Sequence, residues 1–117
     1  MILLDTNVVS ELMRPVPAPA VMSWLAAQPA ASLFISAVTE AELRYGVTLL
    51  PEGRRRADLM AAVDAMLAED FNGRILPFDS AAAVAYAAIA AGRRQEGKPI
   101  SQFDAQIAAI CLLYTSD

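Results

Sequence analysis

The chain has 117 residues, 56% of them hydrophobic and 19% charged, enough for one domain with a sizeable core, spanning residues 1–117, and too few for a second. Mean hydropathy is +0.41, yet much of it is alanine, and no apolar run crosses bilayer length without meeting Arg, Glu, Asp or Pro, which argues against a membrane span. With no basic region before Ile2-Leu3-Leu4 and Asp5 directly after it, the N-terminus does not read as a signal peptide, so a cytoplasmic location is expected. The single cysteine, Cys111, can form neither an internal disulfide nor a cysteine zinc site. The absence of histidine excludes Ser-His and Cys-His nucleophile pairs and imidazole ligands, so hydrolytic chemistry here must rest on carboxylates and a hard metal ion.

In chain order, Ile2-Leu3-Leu4 is a short apolar run ending at Asp5, as in a strand buried on both faces of a parallel sheet. Asp5, Thr6 and Asn7 are cap-type residues leading into a helix over Val8 to Met13, which Pro15, Pro17 and Pro19 end before a second helix over Ala20 to Gln28 carrying Trp24 and Leu25. Ser32 to Ser36 reads as the second strand, followed by a helix from Val38 through Leu50 stopped by Pro51. A long helix is expected over Glu52 to Glu69, with Leu59, Met60, Val63, Met66 and Leu67 on its buried face. Asn72-Gly73 marks a turn, Arg74 to Phe78 a third strand, and Asp79 or Ser80 the cap of an alanine-rich helix reaching Arg94, whose small side chains permit close packing within the fold or across a dimer. Ser101 caps a last helix containing Asp104, Ile107, Ala108 and Ile110. This alternation predicts an α/β domain with helices on a central parallel sheet.

Three acids stand where elements begin or end: Asp5 after the first strand, Glu42 in the helix after the second, and Asp104 early in the last helix. In open parallel α/β sheets, ligands bind beyond the carboxyl ends of the strands, where such residues point. Carboxylates gathered there repel one another unless a cation intervenes, and Mg²⁺ or Mn²⁺ prefers oxygen donors. Metal-assisted phosphodiester hydrolysis is therefore coherent without histidine. A structural reading competes for each acid. Asp5 serves as a helix N-cap, and Thr39 with Glu42 and Ser101 with Asp104 both have capping-box spacing. Glu40 is the rival to Glu42, two positions away and so on another side of the helix, while Glu11, Asp58, Asp64 and Glu69 read as solvated. With 9 basic and 13 acidic residues and a net charge of −4, a nucleic-acid enzyme needs its positive charge gathered locally. Arg54-Arg55-Arg56 and Arg93-Arg94 with Lys98 supply such clusters; the alternative is an ordinary solvated helix face.

Three stretches, Ile2-Leu3-Leu4-Asp5-Thr6-Asn7-Val8, Ser36-Ala37-Val38-Thr39-Glu40-Ala41-Glu42-Leu43-Arg44-Tyr45-Gly46 and Ile100-Ser101-Gln102-Phe103-Asp104-Ala105-Gln106-Ile107-Ala108-Ala109, resemble in order and spacing the successive motifs of PIN-domain ribonuclease toxins of the VapC family, in its FitB-like branch. The resemblance implies a PIN-like three-layer sandwich, with Asp5, Glu42 and Asp104 as catalytic metal-binding carboxylates supported by Thr6 and Asn7. It further implies Mg²⁺ or Mn²⁺ as cofactor, endonuclease action on RNA, a homodimer, and neutralisation by a VapB-type antitoxin docked over the active site. Beyond the last helix the family continues into another strand, a Thr-Arg-Asn-like motif and a fourth acid. Here residues 111–117 differ, so truncation and missing last strands, with an unpaired sheet edge, are expected. Asp117 is a poor substitute for the fourth acid, because a continuous helix would carry it roughly 20 Å beyond Asp104. Two other classes compete: a non-catalytic module that only dimerises and binds an antitoxin, and an acidic phosphoacceptor domain of the receiver type.

Overall fold

The computed structural model describes residues 1–114. The elements run β1 (Ile2–Leu3), α1 (Thr6–Leu12), α2 (Pro19–Ala26), a 3₁₀ turn (Ala30–Ser32), β2 (Leu33–Ser36), α3 (Ala37–Thr48), α4 (Arg54–Ala65), a π turn (Met66–Asp70), β3 (Ile75–Leu76), α5 (Ser80–Gln95) and α6 (Gln102–Tyr114). β2 lies between β1 and β3 and is parallel to both, with Ile2 opposite Leu33 and Leu3 opposite Phe34 on one side, and Ile35 opposite Ile75 and Ser36 opposite Leu76 on the other. Each crossover returns through helices, as parallel pairing requires.

Both sheet faces are covered, and the strand period of two sorts the side chains between them. Ile2, Leu4, Leu33, Ile35 and Ile75 join Val9, Leu43, Val63, Met66, Leu67 and Phe71 in one core. Leu3 and Leu76 turn the other way, to Val38, Ala82, Ile107 and Ile110. The result is the expected three-layer α/β sandwich. Among the described residues the outer edge of β1 carries no further strand.

Local chemistry explains the boundaries that differ from the sequence reading. α1 begins at Thr6, since the Asp5 carbonyl accepts from Val8 N at 3.1 Å and Val9 N at 3.2 Å. Pro19 opens α2, where its fixed φ and missing N–H suit a first helical position. Trp24 stays 46% exposed, so Leu25, which packs on the core, carries the burial of that helix. The helix expected over residues 52–69 starts at Arg54 and ends at Ala65, after which Phe71 N reaches back to Met66 O at 3.3 Å and widens the last turn. That widening lets Met66, Leu67 and Phe71 all enter the first core. Gly73, at φ +74°, supplies the left-handed residue that the turn into β3 demands. Arg74 closes this corner, donating through Nε to Leu33 O at 3.0 Å and through Nη2 to Asp70 O. Only Ile75 and Leu76 pair as strand, not the whole of residues 74–78.

Asp79 caps α5, its Oδ1 accepting from Ala82 N at 2.9 Å, and α5 lies along α6. Ala82 on α5 and Ala105 and Ala109 on α6 are fully buried and allow close packing within the fold, while Ala81, Ala83, Ala87, Ala88 and Ala91 of α5 are exposed. The residues Cys111 to Tyr114 continue α6, and the Tyr114 hydroxyl donates to Asp79 Oδ2. Asp117 lies outside the described residues.

Ile35 is completely buried on the central strand, and Ile35→Ala is expected to cost about 2–5 kcal/mol in chemical denaturation. The Tyr114 hydroxyl and the Ala82 N–H hold the Asp79 carboxyl below the usual carboxylate range, and Asp79 in turn raises the Tyr114 phenol. A depressed carboxyl stabilises the fold above its unfolded pKa of about 3.9, and a raised phenol does so below its unfolded value of about 10. Tyr114→Phe should therefore lower the melting temperature throughout that window. The difference from wild type should fade as pH falls through the depressed Asp79 value or rises through the raised Tyr114 value.

Candidate functional site

The chain leaves β1 at Leu3 and enters α1 at Thr6, so Asp5 stands at the carboxyl end of the first strand in extended conformation. It occupies the N-cap position of α1, but its side chain makes no cap hydrogen bond and is exposed. The purely structural reading of Asp5 therefore fails on the bond that would define it. One residue on, Thr6 Oγ1 donates to Glu42 Oε1 at 2.9 Å. This bond joins the start of α1 to α3.

Capping of α3 also differs from the expected Thr39–Glu42 box. The cap is Ser36, the last residue of β2, whose Oγ accepts from Thr39 N at 3.0 Å. The Glu42 side chain turns instead to Thr6, and the Thr39 hydroxyl lies 3.0 Å from Thr6 Oγ1. Ser36 Oγ donates to Thr39 Oγ1 at 3.2 Å. Ser36 and Thr39 are both fully buried, and sequence reasoning gave neither a part in the site. Glu40, the rival to Glu42, is taken by Arg44, whose Nε donates to it at 2.9 Å while Nη1 reaches Asp64 on α4 at 2.7 Å. Both carboxylates raise the Arg44 pKa, Asp64 the more strongly. Glu11 is not the solvated position expected of it: it accepts from Ala18 N at 2.8 Å and pairs with Arg14 at 3.3 Å, bracing the turn into α2.

Asp104 sits exposed in the first turn of α6. Ser101 caps this helix as expected, its Oγ accepting from Asp104 N at 3.1 Å. Among the described residues, no hydrogen bond or ion pair made by the Asp104 side chain returns to the cap or reaches Glu42, and no three acidic or cysteine side chains stand close enough to enclose an ion. The Asn7 side chain, also exposed, makes no hydrogen bond among these residues.

Glu42 borders a cleft of about 760 Å³ between α1, α3 and α4. Its floor is apolar, with Met13, Leu43, Val47 and Val63, and Arg54 and Arg55 stand on its rim. Of the basic residues singled out in the sequence, these two share the cleft with a candidate carboxylate. Arg93 and Arg94 lie in the last turn of α5 and Lys98 in the loop that follows, and none of the three lines that cleft.

A three-layer α/β sandwich with acids at the carboxyl edge of its sheet defines the class. The PIN-domain family model matches residues 2–117, and the chain belongs to that family. It is 40% identical over 114 residues to the VapC ribonuclease Y4jK of Sinorhizobium fredii, an alignment covering 97% of this chain and 81% of that protein. It is also 44% identical over 109 residues to the toxin FitB of Neisseria gonorrhoeae, covering 93% and 78%. The solved structure of FitAcB from Neisseria gonorrhoeae superposes with a TM-score of 0.87 at 43% identity, over 95% of this chain and 80% of that one.

Because Ser101 satisfies the Asp104 amide at the start of α6, Ser101→Ala should cost about 1 kcal/mol in urea denaturation.

Proposed function

We propose that the chain is the toxin of a type II toxin–antitoxin system, acting as a divalent-metal-dependent endoribonuclease in the cytoplasm. The observation that carries this reading is the Thr6–Glu42 hydrogen bond, which ties the residue next to the uncommitted Asp5 to a carboxylate that itself borders the cleft rimmed by Arg54 and Arg55, a cleft whose lining includes neither Asp5 nor Asp104. Family membership and the ribonuclease and toxin names of its relatives support it. They also support a VapB-type antitoxin and a second copy of the chain as partners.

The donor set fits a hard ion. Every side chain offered is a carboxylate or hydroxyl oxygen, the chemistry that Mg²⁺ and Mn²⁺ prefer, and the chain has no histidine to favour a softer metal. Asp5 and Asp104 would hold the ion, and Glu42 would help to hold it or orient water. Such an ion supplies positive charge for the scissile phosphate and acidifies water. The chain does the rest. Thr6 fixes the Glu42 carboxylate, while Arg54 and Arg55 bind the RNA backbone beside the cleft, concentrating positive charge in a protein of net charge −4. Arg93, Arg94 and Lys98 extend the same role to the approach to α6. Asn7, next to Thr6, supports the site from α1.

The absence of a closed three-acid group among the described residues favours one other reading, a module that dimerises and binds its antitoxin without cutting. Incubation with single-stranded RNA separates the two. The nuclease reading expects cleavage with Mn²⁺ or Mg²⁺, none in a chelator, and a loss for Asp5→Ala larger than the roughly 10- to 100-fold that removing an outer-shell partner costs a metal site. Antitoxin binding without cleavage under any divalent ion would establish the non-catalytic module.

A further inference from the structure

We propose that Thr39, backed by Ser36, is a positioning residue for Glu42, completing a one-way chain of three hydroxyl donors, buried at Ser36 and Thr39 and half-buried at Thr6, that ends on the Glu42 carboxylate. The inference rests on the nuclease reading and assigns a role to two residues outside its set of acids.

The direction of the chain follows from counting hydrogens. Each hydroxyl has one hydrogen to donate, and an ionised carboxylate only accepts. Thr6 gives its hydrogen to Glu42 Oε1 at 2.9 Å, so the 3.0 Å contact between Thr6 Oγ1 and Thr39 Oγ1 takes the hydrogen of Thr39. Thr39 Oγ1 in turn accepts from Ser36 Oγ at 3.2 Å, and Ser36 Oγ accepts from Thr39 N at 3.0 Å. Every hydrogen is used once, and the series runs from a backbone amide through Ser36, Thr39 and Thr6 to Glu42. Bonds in such a series polarise one another in the same sense. The hydroxyl of Thr6 is thereby committed as a donor, and the rotation of the Glu42 carboxylate is set. Among the described residues Oε2 of Glu42 makes no hydrogen bond, which leaves it for the ion or for water.

Helix capping does not account for Thr39. The cap of α3 uses the Ser36 side chain and the backbone N–H of residue 39, which any residue except proline supplies. Valine would fill nearly the same volume without a buried hydroxyl, a group that costs free energy to bury unless it is bonded. The hydroxyl is nevertheless there, fully buried, 33 residues from Thr6 in sequence and in contact with the side chain that, among the described residues, grips Glu42.

Thr39→Val keeps the cap and breaks the chain; Thr39→Ser restores it. The test compares both with wild type, using the full chain, by RNA cleavage kinetics and by Mn²⁺ calorimetry without RNA. For Thr39→Val, kcat should fall about tenfold and Mn²⁺ affinity several-fold, as for loss of an outer-shell partner, while KM for RNA stays within about twofold. Thr39→Ser should recover both. A folded Thr39→Val with wild-type kcat and Mn²⁺ affinity overturns the role, as does a Thr39→Ser variant equally impaired. If Thr39→Val does not fold, Thr39→Ala is measured in its place, and there rescue by serine alone decides. A wild-type chain that cleaves no RNA but binds Mn²⁺ refutes the nuclease reading and leaves the calorimetric comparison to judge Thr39. One that does neither refutes both.

Discussion

The structure depends on the double pairing of β2. Four residues, Leu33 to Ser36, give their first two positions to β1 and their last two to β3, so every other element is placed relative to this strand. With a side-chain period of two, a slip of one residue would exchange Ile35 for Ser36 or Phe34 in the first core. The register is held by more than the ladder. Ile35 is completely buried, Arg74 brings β3 in by bonding Leu33 O, and Ser36 ends the strand by capping α3. One local event thus finishes a strand, starts a helix and fixes the helical phase that turns Glu42 toward Thr6.

The same junction explains how a site can rest on so short a sheet. β1 and β3 each have two residues, too few for the ladder alone to hold them. Their stability comes from burial on both faces, since adjacent residues such as Leu3 and Leu4 enter different cores. Asp5 follows directly after Leu4 and stands exposed at the edge. The Thr6–Glu42 bond then ties this edge to α3 across the ends of β1 and β2. Tertiary packing supplies the rigidity and a single hydroxyl supplies the aim.

The elements were legible in the sequence because they rest on local patterns. Short apolar runs marked the strands, the Ser101 cap was read from cap chemistry and is made as expected, and of the two residues offered for the α5 cap, Asp79 and Ser80, Asp79 makes it. The errors arise where tertiary partners and burial override the local spacing pattern. Thr39 and Glu42 have capping-box spacing, yet Glu42 finds Thr6, 36 residues away, and Ser36 takes the cap. Glu11 looked solvated until Ala18 N closed on it across the proline-rich turn. The π turn at Met66 was invisible because a helix-period pattern continues through it. Its cause is the need to bury Phe71 together with Met66 and Leu67. Three acids at element ends were visible from the start, but which of them are free and which are held is decided by side-chain bonds that no spacing rule encodes.

Asp104 differs physically from the other two acids. Asp5 is linked to Glu42 through its chain neighbour Thr6, which donates to the Glu42 carboxylate, whereas the position of Asp104 is set at one remove, by how α6 lies on the fold. That placement depends on close packing between α5 and α6, where Ala82, Ala105 and Ala109 leave no side-chain volume to adjust. It depends also on Ile107 and Ile110 against Leu3 and Val38. The Asp79–Tyr114 bond joins the start of α5 to the end of α6, so it constrains the far end of the helix that carries Asp104 in its first turn. A rigid helix transmits such a constraint along its length. Groups with no contact to the Glu42 side chain thus govern whether the third carboxylate stands where a shared ion would require it.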